Sequence, residues 1–288
     1  MKSMGTDEKL IYENERGQSI ELSVFSPFFL DNVLGLDGMK NNIYTTKVIG
    51  QDGETFLSDT TGKRSIDIQG RIIENKDVNR NLLLSIFNPK LSGRLTYINK
   101  NITRYIKCRV ENAPTISRDT NPQFVISLLC PNPFWYAKEF LTTMALWKSS
   151  LRFPIIIPKN KGIVFGLKEP SLIVNINNNS DVECPMRIEF KAKGTLSNPS
   201  LFNVNTREFI KINKAMSAGD IISINTARGY ERIELIKQGS KENIFNDLDI
   251  DSTFLKLNVG DNLLRYNADT NIDNLEVVVY HLPQFVGV

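Results

Sequence analysis

The chain has 288 residues, of which 41% are hydrophobic and 23% are charged, close to the average for globular proteins. Its 35 basic and 32 acidic residues leave a net charge of +3 and form no concentrated basic patch, so a dedicated nucleic-acid ligand is not expected. The length predicts two domains, and we expect neither a secretory signal nor a membrane span because no apolar stretch is long enough.

The first half of the sequence is dominated by short segments in which apolar and polar residues alternate, the pattern of half-buried strands. Ile20 and Leu22 alternate in one such segment, Ile66 and Ile68 in another, and a Gly-Gln-Asp-Gly turn at 50–53 lies between them. The strands predicted in this half cover residues 18–25, 43–49, 64–73, 94–98, 102–111 and 124–130.

One segment of the first half has helical spacing instead. Between residues 77 and 87 the apolar side chains recur every three or four positions, which indicates one face of a helix. Asn75 can cap the start of this helix, and Pro89 follows its end. We therefore predict a first domain that is rich in strands and contains one α-helix.

A stretch rich in proline and aromatic residues follows the last of these strands. Two prolines remove two backbone donors and hold the chain extended, so a strand ends here and a stiff connection begins. The predicted residues of this interdomain linker are Cys130, Pro131, Pro133, Phe134, Trp135 and Tyr136. They separate a first domain at 1–136 from a second at 137–288, and the aromatic rings are expected to pack the connection rather than bind a ligand.

The second half consists almost wholly of predicted strands separated by turn residues, at the spacing typical of a sandwich or barrel. These strands cover residues 152–157, 162–167, 172–177, 185–193, 207–212, 220–225, 229–236, 253–257, 262–266 and 275–282. A β-sandwich is the architecture that this pattern favours, which makes the whole chain mainly β.

The residues that usually carry chemistry are scarce. The single histidine, His281, excludes metal sites built on several imidazoles, and no HExxH or GxSxG motif is present. Cys108, Cys130 and Cys184 are widely spaced without a CxxC pair, which favours isolated core thiols, and no disulfide is assumed. We predict no catalytic residue, no metal site and no cofactor. The sequence does not indicate which residues would form an interface between copies of the chain.

Two alternative functions stay open on the residues alone. A carbohydrate-binding sandwich would need exposed aromatic platforms, for which Tyr230 and Tyr266 are candidates. A glycosidase would need two nearby carboxylates, and these have no fixed spacing in a sequence.

Several motifs occur in a characteristic order along the chain. They are DGETF before RSIDIQGRI, DVNRNLLLSIFNP leading to GRLTYI, FVISLLCPNPFWYA, GDIISINTARG, DIDSTFLKLNVGDNLLRY and a closing VVVYHLPQFVGV. Taken together, this order resembles the siphovirus-type tail component family, the distal tail proteins of long-tailed bacteriophages and related tail-like particles. The resemblance extends from about residue 18 to residue 288.

The resemblance implies a structural role in a virion rather than an enzymatic one. It implies that the N-terminal domain forms a ring, typically of six copies, that joins the tail tube to the tail-tip hub protein. It also implies a C-terminal galectin-like β-sandwich that carries receptor-binding or peripheral baseplate proteins. The location implied is the tail tip of a phage, prophage or related particle, assembled in the bacterial host cytoplasm without a membrane partner.

The residues agree with this implication in one respect. A ring-forming protein needs exposed strand edges or hairpins that pair between neighbours, and the predicted strands of the first domain can supply them.

Overall fold

A computed structural model describes residues 7–25, 27–144, 146–149, 166–169 and 173–288. The chain divides into two compact units. The first unit comprises Met1–Ala137 together with Gln284–Val288, and the second comprises Lys138–Pro283. The chain therefore leaves the first unit once and returns to it for its last five residues.

In the described part of the first unit, the N-terminal section of the chain forms ten strands and one helix. They are β1 (Lys9–Asn14), β2 (Ser19–Ser23), β3 (Phe28–Leu34), β4 (Asn41–Thr46), β5 (Thr55–Thr61), β6 (Arg64–Ile72), α1 (Lys76–Ile86), β7 (Ser92–Asn99), β8 (Ile102–Ile116), β9 (Gln123–Cys130) and β10 (Trp135–Tyr136). The six predicted strands and the predicted helix are all present. Four further strands, β1, β3, β5 and β10, were not predicted, and β3 carries a bulge that interrupts its alternation.

Seven of these strands close into a barrel in the order β8-β7-β1-β2-β3-β6-β9, and β9 pairs back with β8. The long strand β8 makes this closure possible, because it pairs with β7 up to Arg109 and with β9 from Arg109 onward. Alternate residues of each strand fill the interior, among them Ile68 and Ile126. Leu83 and Ile86 of α1 join the same core.

The start of the helix differs from the prediction. Asn75 is the N-cap residue, as predicted, but it has a left-handed backbone (φ 40°) and its side chain makes no capping hydrogen bond. A different asparagine makes a side-chain hydrogen bond at this end of the helix: Nδ2 of Asn79 donates to the carbonyl of Glu74 at 2.6 Å. Asn79 lies on the buried face of α1, where an unpaired amide would be costly.

Fourteen strands of the second unit lie in the residues that the structure describes. They are β11 (Phe140–Thr143), β12 (Leu146–Ser149), β13 (Gly166–Glu169), β14 (Ile173–Asn178), β15 (Cys184–Ala192), β16 (Leu196–Asn203), β17 (Phe209–Lys211), β18 (Ala215–Met216), β19 (Ile221–Asn225), β20 (Arg232–Lys237), β21 (Ser240–Asn243), β22 (Lys256–Leu257), β23 (Gly260–Thr270) and β24 (Leu275–His281). The predicted strand at 152–157 and most of that at 162–167 lie outside the described residues. Strand β16 was missed because Pro199 in its interior argues against a strand.

Two sheets of the second unit face a common core and form a β-sandwich. One has the order β11-β24-β15-β19-β20-β21 with β22 beside β15, and the other has the order β14-β23-β16-β17 with β18 beside β16. Phe190 and Val277 from the first sheet and Leu201 and Leu264 from the second belong to the same buried cluster. Strands β12 and β13 pair with each other.

The end of the chain also differs from the prediction, which assigned residues 137–288 to the second domain. The last strand, β25 (Gln284–Phe285), pairs with β10 and so belongs to the first unit. Backbone pairing at the barrel decides this position, and no local pattern of the last five residues indicates it.

The barrel wall is tight at Gly70 on β6. A Cβ added there would lie 2.4 Å from the carbonyl oxygen of Phe29 and 2.5 Å from Cζ of Phe124. Because the carbonyl is part of the β3–β6 pairing, it cannot move without loss of that pairing. We expect Gly70→Ala to lower the free energy of unfolding by about 1–3 kcal/mol, measured by urea denaturation. Gly62→Ala is the matched control, since its new Cβ would meet atoms no nearer than 3.4 Å.

His281 lies on β24 facing the core, as the alternation with Val277 and Val279 predicts. It is 5% exposed, its ring stacks on that of Phe140 with centroids 5.6 Å apart, and its Nδ1 is buried without a hydrogen-bond partner among the described residues. Burial lowers the pKa of His281 below its ordinary value of 6.5.

This histidine predicts a loss of stability in mild acid. Below about pH 6.5 the unfolded chain binds a proton that the folded chain resists, so stability present above that pH is lost as the pH falls. We expect the midpoint of thermal unfolding to fall between pH 7 and pH 5, and to fall less in His281→Gln. An equal pH dependence in both proteins would contradict this assignment.

Candidate functional site

The predicted linker residues are built into the first unit. Cys130 is the buried last residue of β9, and Trp135 and Tyr136 form β10. Tyr136 pairs with Tyr105 on β8. Trp135 is fully buried, and its Nε1 donates to the carbonyl of Leu36 at 3.0 Å. These residues are thus held by the barrel, while their role as a stiff interdomain connection stays a prediction.

The other three linker residues form the turn between β9 and β10. Pro131 is exposed, Phe134 is partly buried, and the backbone N–H of Phe134 donates to Oδ1 of Asn132 at 3.1 Å. Pro133 is buried, and its carbonyl accepts a hydrogen bond of 2.8 Å from Nε of Arg64. The turn is therefore fixed by its own asparagine and by a side chain from β6.

Arg64 connects three separate segments of the first unit. Its side chain is buried, and besides Pro133 it donates from Nη1 to the carbonyls of Gly35 (2.7 Å) and Leu36 (2.9 Å) and from Nη2 to the carbonyl of Val286. Burial lowers the pKa of the guanidinium, which nevertheless stays charged because arginine starts so far above neutral pH. A buried cation is compensated here by four backbone dipoles.

A second arginine holds the end of the chain. The guanidinium carbon of Arg104 lies 3.7 Å from the ring centroid of Phe285, and Arg104 also donates to the carbonyl of Gly287. The backbone N–H of Val288 donates to Oδ1 of Asp37 at 3.4 Å. The sequence did not predict these contacts, because the last five residues contain no local pattern that indicates partners far away in the chain.

A two-stranded ribbon at residues 41–61 of the first unit has an exposed apolar surface. It consists of β4, β5 and their connecting loop, and in the described chain these two strands pair only with each other. Six large apolar side chains of the ribbon are each more than half exposed: Ile43, Tyr44, Val48, Ile49, Phe56 and Leu57. The ribbon is inserted between β3 and β6, which pair with each other in the barrel.

Such a ribbon lacks the support that a hairpin normally needs. An isolated pair of strands is marginally stable in water and usually requires a third strand or a packed face. Ile43 and Tyr44 are neighbours in an extended strand, so apolar side chains project from both faces. Both outer edges also present backbone donors and acceptors. Each of these features is typical of a surface that is covered in an assembly.

The two aromatic candidates for carbohydrate binding have opposite environments. Tyr266 is 1% exposed within the core of the second unit and cannot act as a platform. Tyr230 is 77% exposed and lines a polar depression of about 370 Å³ on the outer face of one sheet. Arg187 in this depression is paired with Glu189 and lies 3.8 Å over the ring of Tyr280. One free aromatic beside paired charges is typical of a solvated sheet surface.

Among the residues that the structure describes, no group of three or more His, Cys, Asp or Glu side chains is placed to hold a metal ion. No helix in the described ranges is long and apolar enough to cross a membrane.

The contacts of Arg64 predict a large effect of its replacement. Arg64→Met keeps the side-chain length but leaves four carbonyls without their donor, which we expect to cost about 2–5 kcal/mol of unfolding free energy. Arg64→Lys should lie between Arg64→Met and the wild type, because one ammonium cannot reach all four carbonyls. Lys63→Ala at the exposed neighbouring position is the control. Wild-type stability of Arg64→Met in urea denaturation would contradict this role.

Two family models match the sequence of this chain, and solved structures of phage proteins have a similar fold. Residues 15–130 match the family described as phage tail protein RIFT-related domain, and residues 179–281 match the siphovirus-type tail component, C-terminal domain. One match lies in each unit, and together they cover more than half of the chain. No protein of curated function matches the chain in sequence.

The fold is similar to that of the SPP1 Dit protein (gp 19.1), described as a paradigm of hub adsorption apparatus in Gram-positive infecting phages. That similarity has a TM-score of 0.70 at 13% identity and covers 96% of this chain and 99% of that one. A chain of the phage P2 baseplate, in its activated conformation with Ca, has a TM-score of 0.53 at 13% identity, with 98% and 99% covered. The same baseplate with Sr has a TM-score of 0.51 at 14% identity, with 96% and 97% covered.

Identities this low establish the fold, and the family follows from the two sequence matches. This chain therefore belongs to the siphovirus-type tail component family, the distal tail proteins of phage tails and baseplates.

Proposed function

We propose that the chain assembles into a ring of identical copies at the distal end of a phage tail, where the ring joins the tail tube to the tail-tip hub protein. The ring has six copies, as the family resemblance implies. The second unit carries receptor-binding or peripheral baseplate proteins, and the protein catalyses no reaction. Assembly takes place in the bacterial host cytoplasm, and the finished ring resides in the virion.

The ribbon at 41–61 is the observation that carries this proposal. Its apolar side chains are exposed on both faces, and burying them removes a large apolar area from water. Its two strands gain hydrogen-bond partners if a neighbouring copy pairs with an outer edge. A second copy of the chain covers this surface. In a ring, every copy can contribute its ribbon to one neighbour and bind the ribbon of the other neighbour.

Ring closure gives a reason for the asymmetry of the first unit. In cyclic symmetry the contacts are heterologous, so each copy needs two different surfaces that fit each other. The closed barrel supplies a rigid body, and the ribbon that extends from it supplies one of these two surfaces. A closed ring leaves no ribbon uncovered, which avoids open-ended aggregation.

The decisive measurement is the mass of the assembly in solution. We expect the wild-type chain to form a closed oligomer, seen by native mass spectrometry and by electron microscopy as a ring. Ile43→Asp and Phe56→Asp place a charge in the buried interface and are expected to weaken association at least about tenfold, a cost of about 1.4 kcal/mol or more. Their unfolding free energies as monomers should stay near the wild-type value, because both sites are exposed.

Ile250→Asp is the matched control. Ile250 is 96% exposed in the second unit, so the same change of chemistry there should leave the oligomer intact. A wild-type chain that stays monomeric, alone and with tail-tube and hub proteins, would overturn the proposed function. A ring that survives the ribbon substitutions would instead overturn the assignment of the ribbon.

A further inference from the structure

Two of the three cysteines lie side by side where the barrel closes. Arg109 on β8 pairs with Leu129 on β9, so the next position along each strand places Cys108 opposite Cys130. Both side chains are buried, with 2% and 0% of their surface exposed. The Cys130 side chain is also the largest influence on the pKa of the Cys108 thiol, which it raises.

This arrangement fits the geometry of a disulfide. Opposed residues of antiparallel strands have Cα atoms about 4.5–5.5 Å apart. Disulfides join residues whose Cα atoms are about 4.4–6.8 Å apart, so the strands need not move far for the bond to form. Cys184 provides the contrast, since it is equally buried but faces Leu257 across its strand pair.

The surroundings make the pair inert while the barrel is closed and reactive when it opens. The side-chain interaction of Cys108 with Cys130, followed by burial, raises the pKa of the Cys108 thiol far above its ordinary value. Cys130 also lies opposite Arg64 on β6. A local opening of the β8–β9 seam would admit water, and the positive charge of Arg64 would then favour the thiolate that starts disulfide exchange.

We propose that Cys108 and Cys130 form a cross-strand disulfide when the protein meets a disulfide oxidant, and that this bond fastens the seam at which the barrel closes. One thiol loses its proton to solvent and attacks oxidised glutathione, giving a mixed disulfide and one reduced glutathione. The second cysteine, as thiolate, attacks the protein sulfur of the mixed disulfide and releases the second glutathione. Two S–H bonds of the protein are replaced by one S–S bond, and the oxidant takes up two electrons.

The bond would have a clear structural effect. It ties the end of β9 to the middle of β8, next to the position where Arg64 holds the following turn. On the proposed function, the chain folds in a reducing cytoplasm and is later released into oxidising surroundings, so the bond forms after the fold is complete. The proposal concerns the first unit alone and does not depend on ring formation.

The test uses the full chain and oxidised glutathione, with and without urea below the unfolding transition. After denaturation in excess iodoacetamide, intact mass spectrometry counts the remaining thiols. We expect one alkylated thiol instead of three, and a proteolytic peptide pair that joins Cys108 to Cys130. Before alkylation, the oxidised protein should have a mass lower by two hydrogen atoms than the reduced protein. The reaction should be faster in urea, and the oxidised protein should unfold several degrees higher until a reductant is added.

Substitutions separate this bond from the alternatives. Cys184→Ser should keep the full effect, whereas Cys108→Ser and Cys130→Ser should each abolish it. If these two variants fold poorly, the thiol count and the linked peptide of the wild-type chain still decide the matter. Three alkylated thiols after oxidation, or stable glutathione adducts without the internal link, would overturn the proposal.

Discussion

A buried positive charge whose hydrogen bonds are made to backbone carbonyls is the constraint on which the first unit depends. The guanidinium of Arg64 is out of water, and its donors are satisfied only if the segments that contain Leu36, Pro133 and Val286 are all in place. An arginine suits this position because its planar fork offers five donors in fixed directions. One side chain therefore couples the end of the barrel, the turn after β9 and the end of the chain into a single arrangement.

The closed barrel and the exposed ribbon of this unit differ in whether their strand edges are paired. Closing seven strands into a barrel satisfies their backbone groups, and β8 achieves this by pairing with β7 along one half and with β9 along the other. The ribbon at 41–61 is left outside this closure with its apolar side chains in water. Such a surface is expected in a family of tail and baseplate proteins, because its members are parts of larger assemblies.

The cysteines show how tertiary structure changes the meaning of a residue. In the sequence, Cys108 and Cys130 are two isolated thiols separated by 21 other residues, and core packing is the natural interpretation. The register of β8 and β9 makes them neighbours, and the barrel places Arg64 beside them. Only a pairing that is set by the whole barrel brings these three side chains to one place.

The sequence by itself determined the class of fold, the helix near residues 77–87, most strands and the family, because alternation, helical spacing and turn residues are local and leave a direct pattern. It missed β16, where Pro199 hid a strand that the sandwich core stabilises, and it assigned Asn75 a side-chain capping bond that the structure does not contain. The return of residues 284–288 to the first unit, the burial of Arg64 and the exposure of the ribbon were decided by tertiary structure alone. Each depends on contacts between segments far apart in the chain, and hydrogen-bond satisfaction and burial there are properties of the folded whole.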